Sequence, residues 1–175
     1  MSSSCIHTTV YHAPCGDLML GSYGGKLCLC DWLTERHREF IGRRLTRELQ
    51  ADICEQEDAV ISEARSRLDG YFRRECREFD LPLLLVGTDF QKRVWQALQQ
   101  IPYGTVISYK QLAERVGMPS ATHAVANANN RNAISIIIPC HRVIGADGSL
   151  TGYGGGLDTK RYLLDLEQNN QVLDI

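Results

Sequence analysis

The chain has 175 residues, 43% hydrophobic and 23% charged, with a formal net charge of −2, which excludes a disordered chain and fits a soluble globular protein of one or two modest domains. It contains no run of about 18 apolar residues that would span a membrane, and its opening MSSSCIHTTVYHAP lacks the basic and apolar regions of a secretion signal. A cytoplasmic protein, nuclear in a eukaryote, with no membrane partner is expected.

The first third, TTVYHAPCGDLMLGSYGGKLCLCDWL, alternates short apolar stretches with the turn signals P-C-G-D and Y-G-G-K, and predicts an antiparallel sheet. The seven cysteines, at positions 5, 15, 28, 30, 54, 76 and 140, follow no repeating framework and are expected to stay thiols in a reducing compartment. Cys28 and Cys30 alternate with Leu27 and Leu29 and read as small hydrophobes on one strand face. The spacing of Cys5, His7, His12 and Cys15 matches no strong zinc signature, so no metal is assigned. Residues 36–49 and 57–78 have the charge density and apolar spacing of surface helices, the second with Ile61, Ala64, Leu68, Tyr71 and Phe72 on one stripe. Residues 1–85 therefore read as a small N-terminal α/β domain, and the apolar tether FDLPLLLVGT leads into a second domain, 86–175.

In that second domain Thr88 can cap a helix burying Phe90, Val94, Trp95 and Leu98, which ends at the Ile-Pro-Tyr-Gly turn of residues 101–104. After an extended TVISY, Ser108 can cap a helix YKQLAERVG closed by Gly117. Met118 and Pro119 make a turn, and Ser120 or Thr122 opens a third helix reaching about Asn130. Two short helices around a Gly-containing turn read as a helix-turn-helix, although such pairs also serve as plain packing units. The third helix is rich in alanine and small polar residues; Asn127, Asn129, Asn130 and Arg131 offer donors to phosphates or base edges, while tight packing would explain its alanines equally. Residues 88–135 carry five basic against two acidic residues, whereas residues 1–87 carry 11 against 14, so the segment is locally basic. The isoleucine run ISIII of residues 134–138 reads as a buried strand that Pro139 ends just before Cys140. A thiol there, beside His141, has the ingredients of an activated nucleophile; alone, the pair is equally a core cysteine and a loop histidine.

In order, the helix-turn-helix, Asn132 just past it, ISIII, PCHRVIG and TGYGGGLDTKRYLLDLE resemble the O6-alkylguanine-DNA alkyltransferases over about residues 86–168. The resemblance implies an α/β (α+β) protein: a small N-terminal α/β sheet domain, then a C-terminal winged helix-turn-helix-like catalytic domain. It implies a single-turnover DNA repair methyltransferase whose partner is double-stranded DNA containing O6-alkylguanine, with O4-alkylthymine as a further substrate. The target nucleotide would be flipped out of the stack at a cost of roughly a few kcal/mol. Cys140 would accept the alkyl group, His141 would take the thiol proton through a water, and Glu167 would orient the imidazole. Asn132 would bridge the helix-turn-helix to the active-site strand, and Tyr109 would crowd the target phosphate and hydrogen-bond the base. The carbonyls of Cys140 and Val143 would accept from the guanine amine, the N–H of Gly154 would face O6, and Tyr153 would wall the pocket. His123, Ala124, Asn127, Ala128 and Arg131, with Tyr109, would meet DNA from the minor-groove side. The thioether product has no easy leaving group, so one molecule repairs one lesion, as a monomer and without metal or cofactor. Two positions depart from the pattern: His123 stands where an arginine wedge is usual, and Ala133 follows Asn132 where proline is usual. A lesion-sensing relative that binds without repairing lacks the cysteine, a helix-turn-helix regulator would not explain PCHRV, and a cysteine hydrolase would not explain the helices.

Overall fold

The computed structural model describes residues 5–168, and the chain parts into two compact units between Val86 and Gly87. In the first, β1 (Cys5–Ala13) and β2 (Gly16–Tyr23) form a hairpin in register from His7↔Ser22 to Ala13↔Gly16, and β2 pairs antiparallel with β3 (Lys26–Trp32). The β2–β3 turn falls on Gly24 and Gly25, both at positive φ (61° and 81°), the backbone that a two-residue hairpin requires and that glycine supplies without steric cost. Helix α1 (Glu35–Leu49) carries the chain to β4 (Asp52–Glu55), which joins β1 in parallel, giving the order β3-β2-β1-β4. The sheet is therefore mixed rather than purely antiparallel, because a helical crossover delivers a strand in the parallel sense.

Cys5 and Cys54 are joined by a disulfide across β1 and β4, which corrects the expectation that all seven cysteines remain thiols: the parallel pairing brings residues 49 apart in sequence to a Cα–Cα distance of 6.1 Å. His7 pairs with Asp58 at 3.0 Å and His12 with Asp17 at 2.8 Å, so Cys5, His7, His12 and Cys15 do not meet in one cluster.

Helix α2 (Ala59–Phe72) starts at Asp58, whose carboxylate accepts from the Ile61 N–H at 3.0 Å, and buries Val60, Ile61, Ala64, Leu68 and Tyr71. It ends six residues before the predicted Glu78. Arg74 turns the chain at φ 63°, and the Gly70 carbonyl accepts from both Glu75 and Cys76, a left-handed closure of the helix end. The tether is not bare: Leu27 donates to the Pro82 carbonyl and accepts from Leu84, adding a bridge to the edge of β3 that covers otherwise unpaired strand groups.

In the second unit, α3 (Asp89–Leu98) and α4 (Tyr109–Arg115) each open on a capping box, Thr88 with Gln91 and Ser108 with Gln111. These residues satisfy two of the N–H groups that every helix start leaves free. The indole of Trp95 donates to the Ala128 carbonyl at 2.8 Å, tying α3 to α5 (Thr122–Asn130), and Arg93 donates to the Val116 carbonyl at 2.6 Å at the end of α4. The helix-turn-helix is thus braced from behind by α3. Strands β5 (Ile107–Ser108) and β6 (Val143–Ile144) pair in parallel, which sets the first residue of α4 beside the chain leaving Cys140. Helix α6 (Leu157–Gln168) closes the unit.

The isoleucine run is not a strand. Residues 135–137 form turns, Ile136 lies at φ 71°, and the run is buried as a compact knot. Its backbone is satisfied locally: Ile138 donates to Ile134, and the Asn132 amide donates to the Ile134 and Ile138 carbonyls (3.2 and 2.9 Å) while its oxygen accepts from the Ile134 N–H (3.0 Å). One buried asparagine does what a neighbouring strand would have done.

Candidate active site

Pro139 ends the knot, and Cys140, His141 and Arg142 form a single 3-10 turn before β6. All three side chains are buried, His141 completely. The imidazole Nε2 lies 2.7 Å from Glu167 Oε2 on α6. A carboxylate there requires a proton on Nε2, which leaves Nδ1 as the basic nitrogen; Nδ1 is buried with no hydrogen-bond partner among the described residues. Arg142 grips the same carboxylate with Nε on Oε1 (2.9 Å) and Nη2 on Oε2 (3.0 Å), and its Nη1 donates to the Ile101 carbonyl at 2.7 Å. The Gly104 N–H also donates to Glu167 Oε1 at 3.1 Å.

Burial opposes ionisation of Glu167, but the contacts with His141 and the Arg142 fork overcome it and hold the carboxyl well below its ordinary range. Burial, the largest influence on His141, pushes its pKa down; Glu167 pulls the other way, and Arg142 and Lys160 add to the fall. The arrangement at rest is a neutral imidazole between a thiol-bearing turn and a carboxylate whose charge Arg142 already balances. Elsewhere, burial pushes the thiols of Cys28 and Cys15 up to about 12 and about 11, so neither is poised as a thiolate.

Tyr109, the first residue of α4, donates its hydroxyl to the Thr151 carbonyl at 3.3 Å, and burial raises its pKa. The segment after Thr151 carries the half-buried Tyr153 and Gly154. Val143 is buried in β6, paired with Ile107. Asn132 anchors the knot that precedes Cys140 and His141. Asn129 reaches the turn itself, its Nδ2 lying 3.5 Å from the Cys140 carbonyl.

On α5, His123, Ala124, Asn127 and Arg131 are exposed along one face, while Val125, Ala128 and Asn129 are buried on the other. Ala128 was expected to meet DNA, yet only 3% of it is exposed. At one position past Asn127 it has rotated by about 100° around the helix onto the face packed against α3.

Sequence reasoning missed Arg142, Gly104 and Lys160. Arg142 had a signal only as a neighbour of His141. Lys160 had a clearer one: with Leu163, Leu164 and Glu167 it occupies positions i, i+3, i+4 and i+7 of α6, a buried stripe that carries two charges.

Residues 89–169 match the family model described as "6-O-methylguanine DNA methyltransferase, DNA binding domain". The chain is 46% identical over 168 residues to the methylated-DNA–protein-cysteine methyltransferase of Mycobacterium leprae, covering 96% of this chain and 95% of that protein. It is 51% identical over 135 residues to the protein of that name from Methanosarcina barkeri, covering 77% of this chain and 85% of that one. Among solved structures, the Mycobacterium tuberculosis OGT in complex with DNA is similar at a TM-score of 0.78 and 42% identity, over 94% of this chain and 93% of that chain.

Proposed function

The chain belongs to the methylated-DNA–protein-cysteine methyltransferases, and on that footing we propose that Cys140 takes the alkyl group from O6-alkylguanine flipped out of duplex DNA. The observation that carries this reading is the buried chain His141–Glu167–Arg142 behind Cys140. With Nε2 committed to Glu167, His141 Nδ1 is the base that receives the thiol proton through a water. The chain has no net charge while the ring is neutral and a single positive charge once the ring is protonated, beside the thiolate so formed. Sγ then attacks the alkyl carbon: the S–C bond forms as the C–O6 bond breaks, and the electron pair passes into the purine, which regains a proton. Thiol and alkylguanine become thioether and guanine, and nothing restores the thiol.

The Tyr109 hydroxyl, turning from the Thr151 carbonyl to the base, helps it to leave by donating a hydrogen bond to it, and the carbonyls of Cys140 and Val143, the N–H of Gly154 and the ring of Tyr153 define the base pocket. The exposed α5 face, with His123, Ala124, Asn127 and Arg131, meets the minor groove, whose degenerate pattern suits a protein that must inspect every sequence. O4-alkylthymine is a further substrate, and the protein works as a monomer in the cytoplasm, or in the nucleus of a eukaryote. A lesion-binding protein without transfer, or a helix-turn-helix regulator, would have no use for this histidine–carboxylate chain behind a cysteine. The test is a duplex with an isotopically labelled methyl on guanine O6: label should move to the wild-type protein but not to Cys140→Ser, which should still bind the duplex. Transfer of label to Cys140→Ser would remove Cys140 from the reaction.

A further inference from the structure

The turn that follows α3 is built around one ion pair. Thr105 donates to the Pro102 carbonyl at 3.1 Å and Gly104 lies at φ 77°, so residues 102–105 form a β-turn whose third position needs the left-handed backbone that glycine supplies. Groups from this short stretch converge on Arg142 and Glu167. The Ile101 carbonyl accepts from Arg142 Nη1 at 2.7 Å, the Gly104 N–H donates to Glu167 Oε1 at 3.1 Å, and the Tyr103 ring faces the guanidinium, its centroid 5.7 Å from Arg142 Cζ. An aromatic face attracts a cation at this range, more strongly where water is excluded, and both members of the pair are buried. The guanidinium reaches both oxygens of Glu167, which a planar fork does in one orientation only. That orientation decides where Oε2 meets His141 Nε2.

We infer that Tyr103 is a positioning residue for alkyl transfer: its ring holds the Arg142 guanidinium in the plane that aligns Glu167 on His141, and so sets the strength of the imidazole that takes the Cys140 proton. The inference rests on the reading of Cys140 as the alkyl acceptor. Tyr103 exchanges no proton in the step; it acts through Arg142.

The charged groups facing His141 are Glu167 and Lys160 from α6 and Arg142 from its own turn, while Tyr109 of α4 faces Cys140. Glu167 draws the proton affinity of His141 up, and Arg142 and Lys160 draw it down. A Glu167 that slips out of line therefore leaves a weaker base. As pH rises, solvent takes the thiol proton without the imidazole, so a defect confined to the base should fade on the alkaline side.

The experiment is the single-turnover rate with free O6-benzylguanine, which needs no DNA binding or flipping, between about pH 6.5 and about pH 9.5. Tyr103→Leu should be roughly ten-fold slower near neutrality, the scale of one desolvated cation–π contact, and should approach wild type at the alkaline end. Tyr103→Phe, which keeps the ring, should recover most of the rate. A Tyr103→Leu protein with the wild-type rate, or with a deficit equal at every pH, overturns the inference. A gentler series guards against a leucine variant that does not fold: phenylalanine rings carrying one, two or three fluorines at position 103 keep the shape while draining the ring face of negative charge. The rate should fall stepwise along that series, and equal rates would show that the ring only fills space. The proton that His141 Nε2 shares with Glu167, followed by NMR, should shift along the same series. If wild type places no alkyl group on Cys140, the reading of Cys140 has failed; a shifting Nε2 proton then still supports the placement of Tyr103, and an unmoved one overturns it.

Discussion

Glu167 serves two neighbours at once, and that determines what its loss should do. Glu167→Gln keeps the shape but removes the charge that both orients His141 and balances Arg142. A single-turnover rate lower by about a hundredfold is expected from the weakened base, together with a loss of about 3–5 kcal/mol of stability because Arg142 is left buried and unmatched. An unaltered rate in stopped-flow transfer, or an unaltered denaturation midpoint, would separate Glu167 from one role or the other. The same pair sets the acid limit of the fold. His141 has its pKa lowered by burial, so the unfolded chain binds the extra proton first: its contribution is intact above the ordinary value of 6.5 and declines as pH falls below it. Glu167, held below its ordinary 4.5, adds a second loss as pH falls through that value. Urea midpoints should therefore drop in two stages on acidification, each approaching about 1.4 kcal/mol per pH unit, and a midpoint constant from neutral pH to about pH 4 would contradict the assignment. His123 is the residue whose effect should depend on DNA. If it fills the gap left by the flipped base, His123→Ala should slow duplex repair by roughly ten-fold, the loss expected for one stacking contact, and leave the reaction with free O6-benzylguanine unchanged. His123→Arg should match or exceed the histidine. Equal duplex rates for all three side chains would place the wedge elsewhere.

At the scale of elements, what was legible in the sequence was what is decided within a few residues. Thr88 with Gln91 and Ser108 with Gln111 are local capping signals, and both helices begin where those residues place them. The run ISIII was not legible in the same way. A short apolar segment has no period that separates a buried strand from a buried turn, and the deciding hydrogen bonds come from the side chain of Asn132. That residue was singled out, but for a bridging role rather than as the scaffold of the knot. Asn132→Ala would leave the buried Ile134 N–H without its acceptor, and a loss of about 1–3 kcal/mol is expected, with slower transfer because the Cys140 turn rests on this knot. A denaturation midpoint within a few tenths of a kcal/mol of wild type would show that the knot holds itself. Ala128 shows the other limit: a helix face can be read from sequence only to within about one residue, or 100° of rotation.

For the whole molecule, topology was less visible than chemistry. That β4 runs parallel to β1, and that Cys5 thereby meets Cys54, depends on a crossover no local signal reveals. Lys160 and Glu167 were hard to weigh for a related reason, since a charge on a buried stripe acquires its meaning only from the partners that folding brings to it. Charge distribution makes a prediction at this scale. Residues 88–135 carry Lys92, Arg93, Lys110, Arg115 and Arg131, and each phosphate neutralised contributes about 0.9 to the slope of log K against log salt, so a slope no steeper than about −6 is expected. A steeper one would require phosphate contacts outside this segment. The central claim is that one cysteine accepts one alkyl group and is spent. It is tested most directly by intact-mass measurement after mixing the protein with excess duplex carrying a single O6-methylguanine, followed by peptide mapping. A gain of one methyl per molecule, located on the peptide bearing Cys140, with lesion loss stopping at one equivalent, is the expected result; methyl on another residue, or lesions consumed beyond the amount of protein, would contradict it.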